Sequence, residues 1–136
     1  MADIKQNKMP KTPYKKGAVI YSANDPSDSV YLVHTGSVRL ETKNGMVLGE
    51  LAQGELFGEV GLITSEMRTV TVRAQTDCIV IKISETVFRE KMRQADPICT
   101  AIIRGLALRI NDANDLAEKH WKELSLYKSL DKQVKR

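Results

Sequence analysis

From Gly17 onward, apolar residues come in short bursts cut off by turn signals. Ala18-Val19-Ile20-Tyr21 reads as a strand and Asn24-Asp25-Pro26-Ser27-Asp28 as the loop after it. Ser29 to His34 is a second strand, stopped at Thr35-Gly36. Val38 to Thr42 alternates apolar and polar residues, as a half-buried strand does. Asn44-Gly45 is a strong hairpin signal, because both positions accept positive φ, and Met46 to Leu51 returns as the partner strand. Gln53-Gly54-Glu55 turns again. Val70, Val72 and Ala74 then alternate with Thr71 and Arg73, and Cys78 to Ile83 is a further apolar strand. Many short strands with glycine turns predict a sandwich or an antiparallel barrel.

The texture changes at Ser84, which caps a helix running to about Gln94. Asp96 then caps a second helix with Pro97 at its first position, over about 97–128. Its stripe of Ile98, Ile102, Leu106, Ile110, Ala113, Ala117, Trp121 and Leu124 recurs every three or four residues, one face of one long helix. Asn111–Asp115 is a weak spot within it and reads as a hinge. Residues 98–110 are expected to pack on the strands, and the remainder to close a pocket or to meet a second copy. Residues 1–16, with Pro10, Pro13 and scattered lysines, read as a mobile lead-in. The fold class is α+β: an antiparallel, jelly-roll-like β-roll followed by C-terminal helices.

At 136 residues the chain has room for one domain, and 42% hydrophobic with 28% charged residues is ordinary for a folded one. No stretch approaches the roughly 20 apolar residues of a membrane helix, and the first residues carry no apolar signal segment. Two cysteines (Cys78, Cys99) make no disulfide framework, and two distant histidines (His34, His120) make no zinc site. A cytoplasmic, reducing compartment is expected, with no membrane partner. The net charge of +4 is unevenly placed. Residues 1–16 hold five lysines and one acid (+4), residues 118–136 six bases and three acids (+3), and 17–117 ten bases and thirteen acids (−3). A nucleic-acid-binding body would carry the basic stripe itself. The ends therefore read as solvated tails, and no direct DNA binding is expected.

The segment that carries chemistry is Gly54 to Thr76. Gly49, Gly54, Gly58 and Gly61 cluster there, and glycine lets backbone approach a ligand closely. Glu59 to Ile63 fits one helical turn, whose free N–H groups would face an anion. Arg68 follows at the mouth of an apolar strand, and a guanidinium grips phosphate through two parallel bonds. Thr69 adds a hydroxyl. Glu59 beside an anion makes sense if it accepts hydrogen bonds from sugar hydroxyls. A sugar phosphate asks for that combination.

This arrangement resembles the cyclic nucleotide-binding domain family, the sensor module of catabolite activator protein, protein kinase A regulatory subunits and gated channels. The likeness runs from Gly17 to about Asn114. It rests on Tyr31-Leu-Val-His-Thr-Gly36, on Phe57-Gly58-Glu59 with Leu62, and on Arg68 followed by Thr71-Val72. The resemblance implies a single sensor domain over 17–136 with a short cassette helix. It needs no cofactor and binds cyclic AMP or cyclic GMP as its ligand. It also implies that Gly58, Glu59 and Arg68 hold the cyclic phosphate and that Glu59 accepts the ribose 2′-hydroxyl. Val60, Leu62, Thr69 and Val70 complete the cassette, and Leu40 and Leu48 face the purine. Trp121 is either a packing residue of the helical stripe or a cap on the base. Threonine after the arginine is common in the family where cyclic GMP is preferred, and bacterial cyclic AMP binders often have serine. Cyclic AMP is the favoured ligand, with cyclic GMP tolerated. Gly61 stands where the family often has alanine, and Val70 where a small residue is usual.

The expected function is a cyclic nucleotide sensor that moves its C-terminal helix and has a homodimer or partner contact through it. The alternative is a vestigial roll that partners through the same helix and no longer binds nucleotide. An enzyme is not expected, since no nucleophile–base pair accompanies the cassette. A metal enzyme on a similar roll would need clustered histidines.

Overall fold

The computed structural model describes residues 9–134. Among these residues eight strands form two four-stranded antiparallel sheets. They are β1 (Lys11–Tyr14), β2 (Val19–Tyr21), β3 (Ser29–Thr35), β4 (Ser37–Glu41), β5 (Val47–Ala52), β6 (Leu56–Phe57), β7 (Thr71–Ala74) and β8 (Cys78–Ser84). One sheet has the order β1-β8-β3-β6 and the other β2-β7-β4-β5. Among the described residues three helices accompany the roll: α1 (Glu59–Thr64), α2 (Glu85–Gln94) and α3 (Pro97–Val134).

Strand alternation builds the core. Val30, Val33, Val38, Val72, Val80 and Phe57 all lie below 3% exposure. Tyr31 stacks on Phe57 with ring centroids 5.1 Å apart, which ties β3 to the strand leading into α1.

Two readings of the strands need correction. Lys11–Tyr14, expected within a mobile lead-in, is a strand paired with β8 from Lys11↔Ile81 to Tyr14↔Cys78. Pro10 and Pro13 argue against a central strand, but β1 is a sheet edge, where a missing N–H costs no ladder bond. Residues 1–8 of that lead-in lie outside the described residues. The Asn44-Gly45 turn is looser than a two-residue hairpin. Only Gly45 has positive φ (89°), and the loop closes by Thr42 N–H to the Met46 carbonyl at 2.8 Å. The extra residues are absorbed by a register shift at Leu40/Glu41.

The helix starts follow the capping chemistry. Ser84 Oγ accepts from Val87 N–H at 3.3 Å, and Asp96 Oδ1 from Ile98 N–H at 2.8 Å. Beyond its start, α3 departs from expectation in two ways. It runs as one continuous helix through 111–115. Its buried residues are Ala107 and Asn111, while Ile98 (72% exposed), Ile102, Leu106 and Leu124 face solvent. The face that rests on the roll is small and polar. Most of the apolar stripe points away from it, with Ile110 turned toward the roll.

Candidate functional site

Gly58 opens the site. Its φ of 86° lies in the left-handed region and turns the chain from β6 into α1. A side chain there would also collide with Arg68, since a Cβ would sit 2.7 Å from Nη1. Gly58 offers no side chain to cap the start of α1, and the N–H groups of such a first turn suit an anion. Glu59 is the first residue of that helix. Gly61 is fixed by crowding: a methyl would run into Ser27 Oγ and come 3.0 Å from the Glu66 carbonyl. The alanine common in the family therefore does not fit beside Ser27 here.

Arg68 returns to the same spot from the loop after α1 and is 4% exposed. Its Nη1 donates to the Gly58 carbonyl at 2.8 Å and its Nη2 to the Ser29 carbonyl at 2.7 Å. Asp28 Oδ1 lies 3.7 Å from Nη2. The guanidinium carbon sits 4.1 Å from the centroid of the Tyr21 ring. Burial drives the Tyr21 phenol well above its usual range, the Arg68 charge opposing this in part, so Tyr21 stays a neutral platform. A guanidinium has five donors. Nη1 and Nη2 are held by carbonyls, while Nε is buried with no partner among the described residues. A buried donor without an acceptor is costly, and an anion at α1 would supply one. No ion pair joins Arg68 to Glu59 among the described residues. The Glu59 carboxyl is raised above its ordinary value, mainly by burial, with its own backbone amide and Arg68 pulling the other way.

These groups border a cavity of about 200 Å³. Gly58, Glu59, Val60, Arg68, Thr69, Val70 and Leu40 line it, all expected from the sequence. Leu48, Leu62 and Trp121 do not. Leu40 pairs with Gly49, so strand parity brings Leu51 rather than Leu48 to its side, and Leu48 joins the edge of the core. Leu62 is buried at 1% exposure and faces a different groove, against α2. Trp121 lies seven residues beyond Asn114, about 10 Å further along the helix at ~1.5 Å per residue.

The sequence reading missed Tyr21, Leu51, Leu56, Ile110 and Asn114, which also line the cavity together with Phe57 and Gly61 of the motif. For the α3 residues a signal existed. Ala107, Asn111, Asn114 and Glu118 recur at helical spacing, a small and polar stripe opposite the apolar one. Asn111 Nδ2 donates to Glu66 Oε2 at 3.4 Å, which fastens α3 beside the end of α1.

Residues 11–95 match the family model described as the cyclic nucleotide-binding domain. The chain is 30% identical over 88 residues to an NTE family protein of Mycobacterium bovis, covering 65% of this chain and 15% of that one. It is 35% identical over 109 residues to the lysophospholipase nte1 of Aspergillus niger, covering 76% of this chain and 7% of that one. The chain thus spans a small part of these relatives. Among solved structures, the EAL enzyme Bd1971 in its cyclic-AMP-bound form is 26% identical with a TM-score of 0.70, over 88% of this chain and 33% of that one. Its cyclic-GMP-bound form is 25% identical with a TM-score of 0.72, over 91% and 34%. Among the described residues no helix is long and apolar enough to cross a membrane. With an uncapped helical turn, a buried arginine and a family match over the whole roll converging on one cavity, the chain belongs to the cyclic nucleotide-binding domain family.

Proposed function

We propose that this domain is a sensor that binds cyclic AMP in preference to cyclic GMP and answers by moving α3. The observation that carries the reading is the cavity's size and its lid. At about 200 Å³ it falls short of the roughly 300–1,000 Å³ of ligand pockets, and α3 supplies Ile110 and Asn114 to its wall. A nucleotide therefore gains its full volume only when α3 shifts, and a ligand shifts an equilibrium by the difference in its contacts with the two states. The phosphate belongs at the α1 amides and Arg68, the ribose at Glu59. The base then meets Leu40, Leu51, Leu56, Val60 and Ile110, with Asn114 as the polar side chain nearby. Guanine carries more polar groups on its edge than adenine, and each one buried without a partner is penalised. A reducing, cytoplasmic setting suits Cys99, which is exposed and unpaired. No catalytic step is assigned to the domain.

Saturating cyclic AMP should change amide exchange over residues 107–118 and the emission of Trp121, the chain's one tryptophan. It should also raise the melting temperature by mass action. If cyclic AMP stabilises the fold while exchange across α3 stays as it was, the helix does not report the cavity. If it leaves melting untouched, the pocket is vestigial.

The apolar stripe of α3 belongs, in this reading, against a second copy of α3. Ile102, Leu106, Leu116, Leu124 and Tyr127 are all more than 45% exposed along one helix. Monomers seldom leave so continuous an apolar face in water. Sedimentation should find a dimer that Leu106→Glu with Leu124→Glu converts to monomer. A wild-type chain that stays monomeric at high concentration overturns the dimer.

A further inference from the structure

A second concave surface shares α1 with the nucleotide cavity. Gly58 to Gly61 line the cavity, whereas Leu62 and Ile63 line a groove of about 800 Å³ between α1, α2 and the start of α3. Phe88 and Met92 of α2 are half-buried along its floor. Arg89, Arg93 and Arg104 stand at its rim with one acid, Glu85. Arg89 is already engaged: it pairs with Glu85 at 2.8 Å and donates to the Leu62 carbonyl at 3.4 Å. Arg93 and Arg104 are exposed, and neither has an acidic partner among the described residues. This cationic rim is local, because residues 17–117 as a whole carry ten bases against thirteen acids.

We propose that this groove docks an acidic amphipathic helix of a partner protein. Apolar side chains at helical spacing would cover Phe88 and Met92, and flanking carboxylates would meet Arg93 and Arg104. A trough walled by two helices suits helix-in-groove recognition, and a guanidinium takes a carboxylate through two parallel bonds. Residues 1–8, with two lysines and one aspartate, lack the acidic chemistry this rim asks for. The docked helix would touch α3 through Thr100 and Arg104, next to the buried Leu62 and Ile63 of α1. If α3 moves with nucleotide, partner and nucleotide must alter each other's affinity by the same factor. That coupling rests on the sensor reading, whereas the docking itself does not.

The test uses the full chain and a fluorescein-labelled amphipathic peptide with leucines on one face and glutamates flanking them. A twin peptide carries lysines in place of the glutamates. Anisotropy should show the glutamate peptide bound and the lysine twin weaker by about tenfold, as two small surface charge terms would give. Arg93→Glu with Arg104→Glu should reverse that preference while leaving thermal unfolding unchanged. Chemical shifts should move at Phe88 and Met92 and stay put at Ile98 and Ile102. Equal binding of the two peptides, or a preference that survives the double reversal, overturns the proposal. So does dodecyl phosphate displacing the peptide more effectively than unlabelled peptide does, which would make the groove a site for amphiphilic anions. Repeating the titration with cyclic AMP separates the two readings. Unchanged peptide affinity with nucleotide bound removes the coupling, and nucleotide that does not bind removes the sensor while peptide docking stands.

Discussion

Arg68→Ala should lower cyclic nucleotide affinity by well over tenfold and destabilise the empty fold at the same time. The first effect comes from the phosphate. Removing one partner of a buried charged hydrogen bond costs roughly 2–5 kcal/mol, much of it from the charge left unpaired. The second comes from the protein's own carbonyls. Arg68 is the donor that reaches the Gly58 and Ser29 carbonyls, and each buried group left without a partner costs about 1–3 kcal/mol. Arg68→Lys separates the two effects. It keeps the charge but cannot span both carbonyls and a phosphate, so it should recover part of the affinity and little of the stability. Calorimetry and thermal unfolding on both variants check this. An alanine variant that binds with wild-type affinity would sink the phosphate assignment.

Loss of the ribose 2′-hydroxyl should be the next largest effect. A hydrogen bond to a charged group contributes about 1.5–3 kcal/mol, so 2′-deoxy cyclic AMP should bind wild type roughly ten- to a hundredfold more weakly. In Glu59→Gln that ratio should shrink. A Gln variant that discriminates as sharply as wild type shows that some other group reads the sugar. The same carboxyl predicts a pH dependence. Burial raises it above its ordinary 4.5. Between that value and the raised one, the empty native state holds a proton that the unfolded chain has lost. Stability of the empty domain therefore falls as pH rises through that window. Nucleotide affinity runs the opposite way, because the hydroxyl needs the ionised acceptor, and it falls as pH drops through the raised value. Glu59→Gln should flatten both profiles.

The site divides according to how far its parts are separated along the chain. Gly58, Glu59, Val60, Arg68, Thr69 and Val70 lie within thirteen residues, and all line one cavity. Their roles follow from local chemistry: a left-handed glycine, an uncapped helical turn, a fork-shaped cation. What Arg68 does inside the roll is not local. Its partners are the Ser29 carbonyl, 39 positions away, and the Tyr21 ring. No spacing in the segment announces either of them.

The long helix shows the same limit more sharply. Its period of three or four residues is plain, and so is its apolar face. Periodicity says that a face must be covered, and nothing about what covers it. In the structure the roll takes the face with Ala107, Asn111 and Asn114, because small and polar side chains allow close approach to α1 and a hydrogen bond to Glu66. Trp121, the largest apolar side chain available, lies past the cavity for the simple reason that a helix rises ~1.5 Å with every residue.

The sequence by itself determined the strand-rich roll, the helix caps and the family, since each depends on neighbours a few residues apart: alternation for strands, Ser84 and Asp96 for caps, the glycine and arginine motif for the family. Only the tertiary structure decided that Lys11–Tyr14 is an edge strand, that Leu51 replaces Leu48 beside Leu40, and that Asn114 rather than Trp121 reaches the cavity. Each of these depends on register, sheet position or helix rotation. Such quantities are settled by which surfaces pack together over long sequence separations, and a pattern read along the chain carries the period of an element but not its partner.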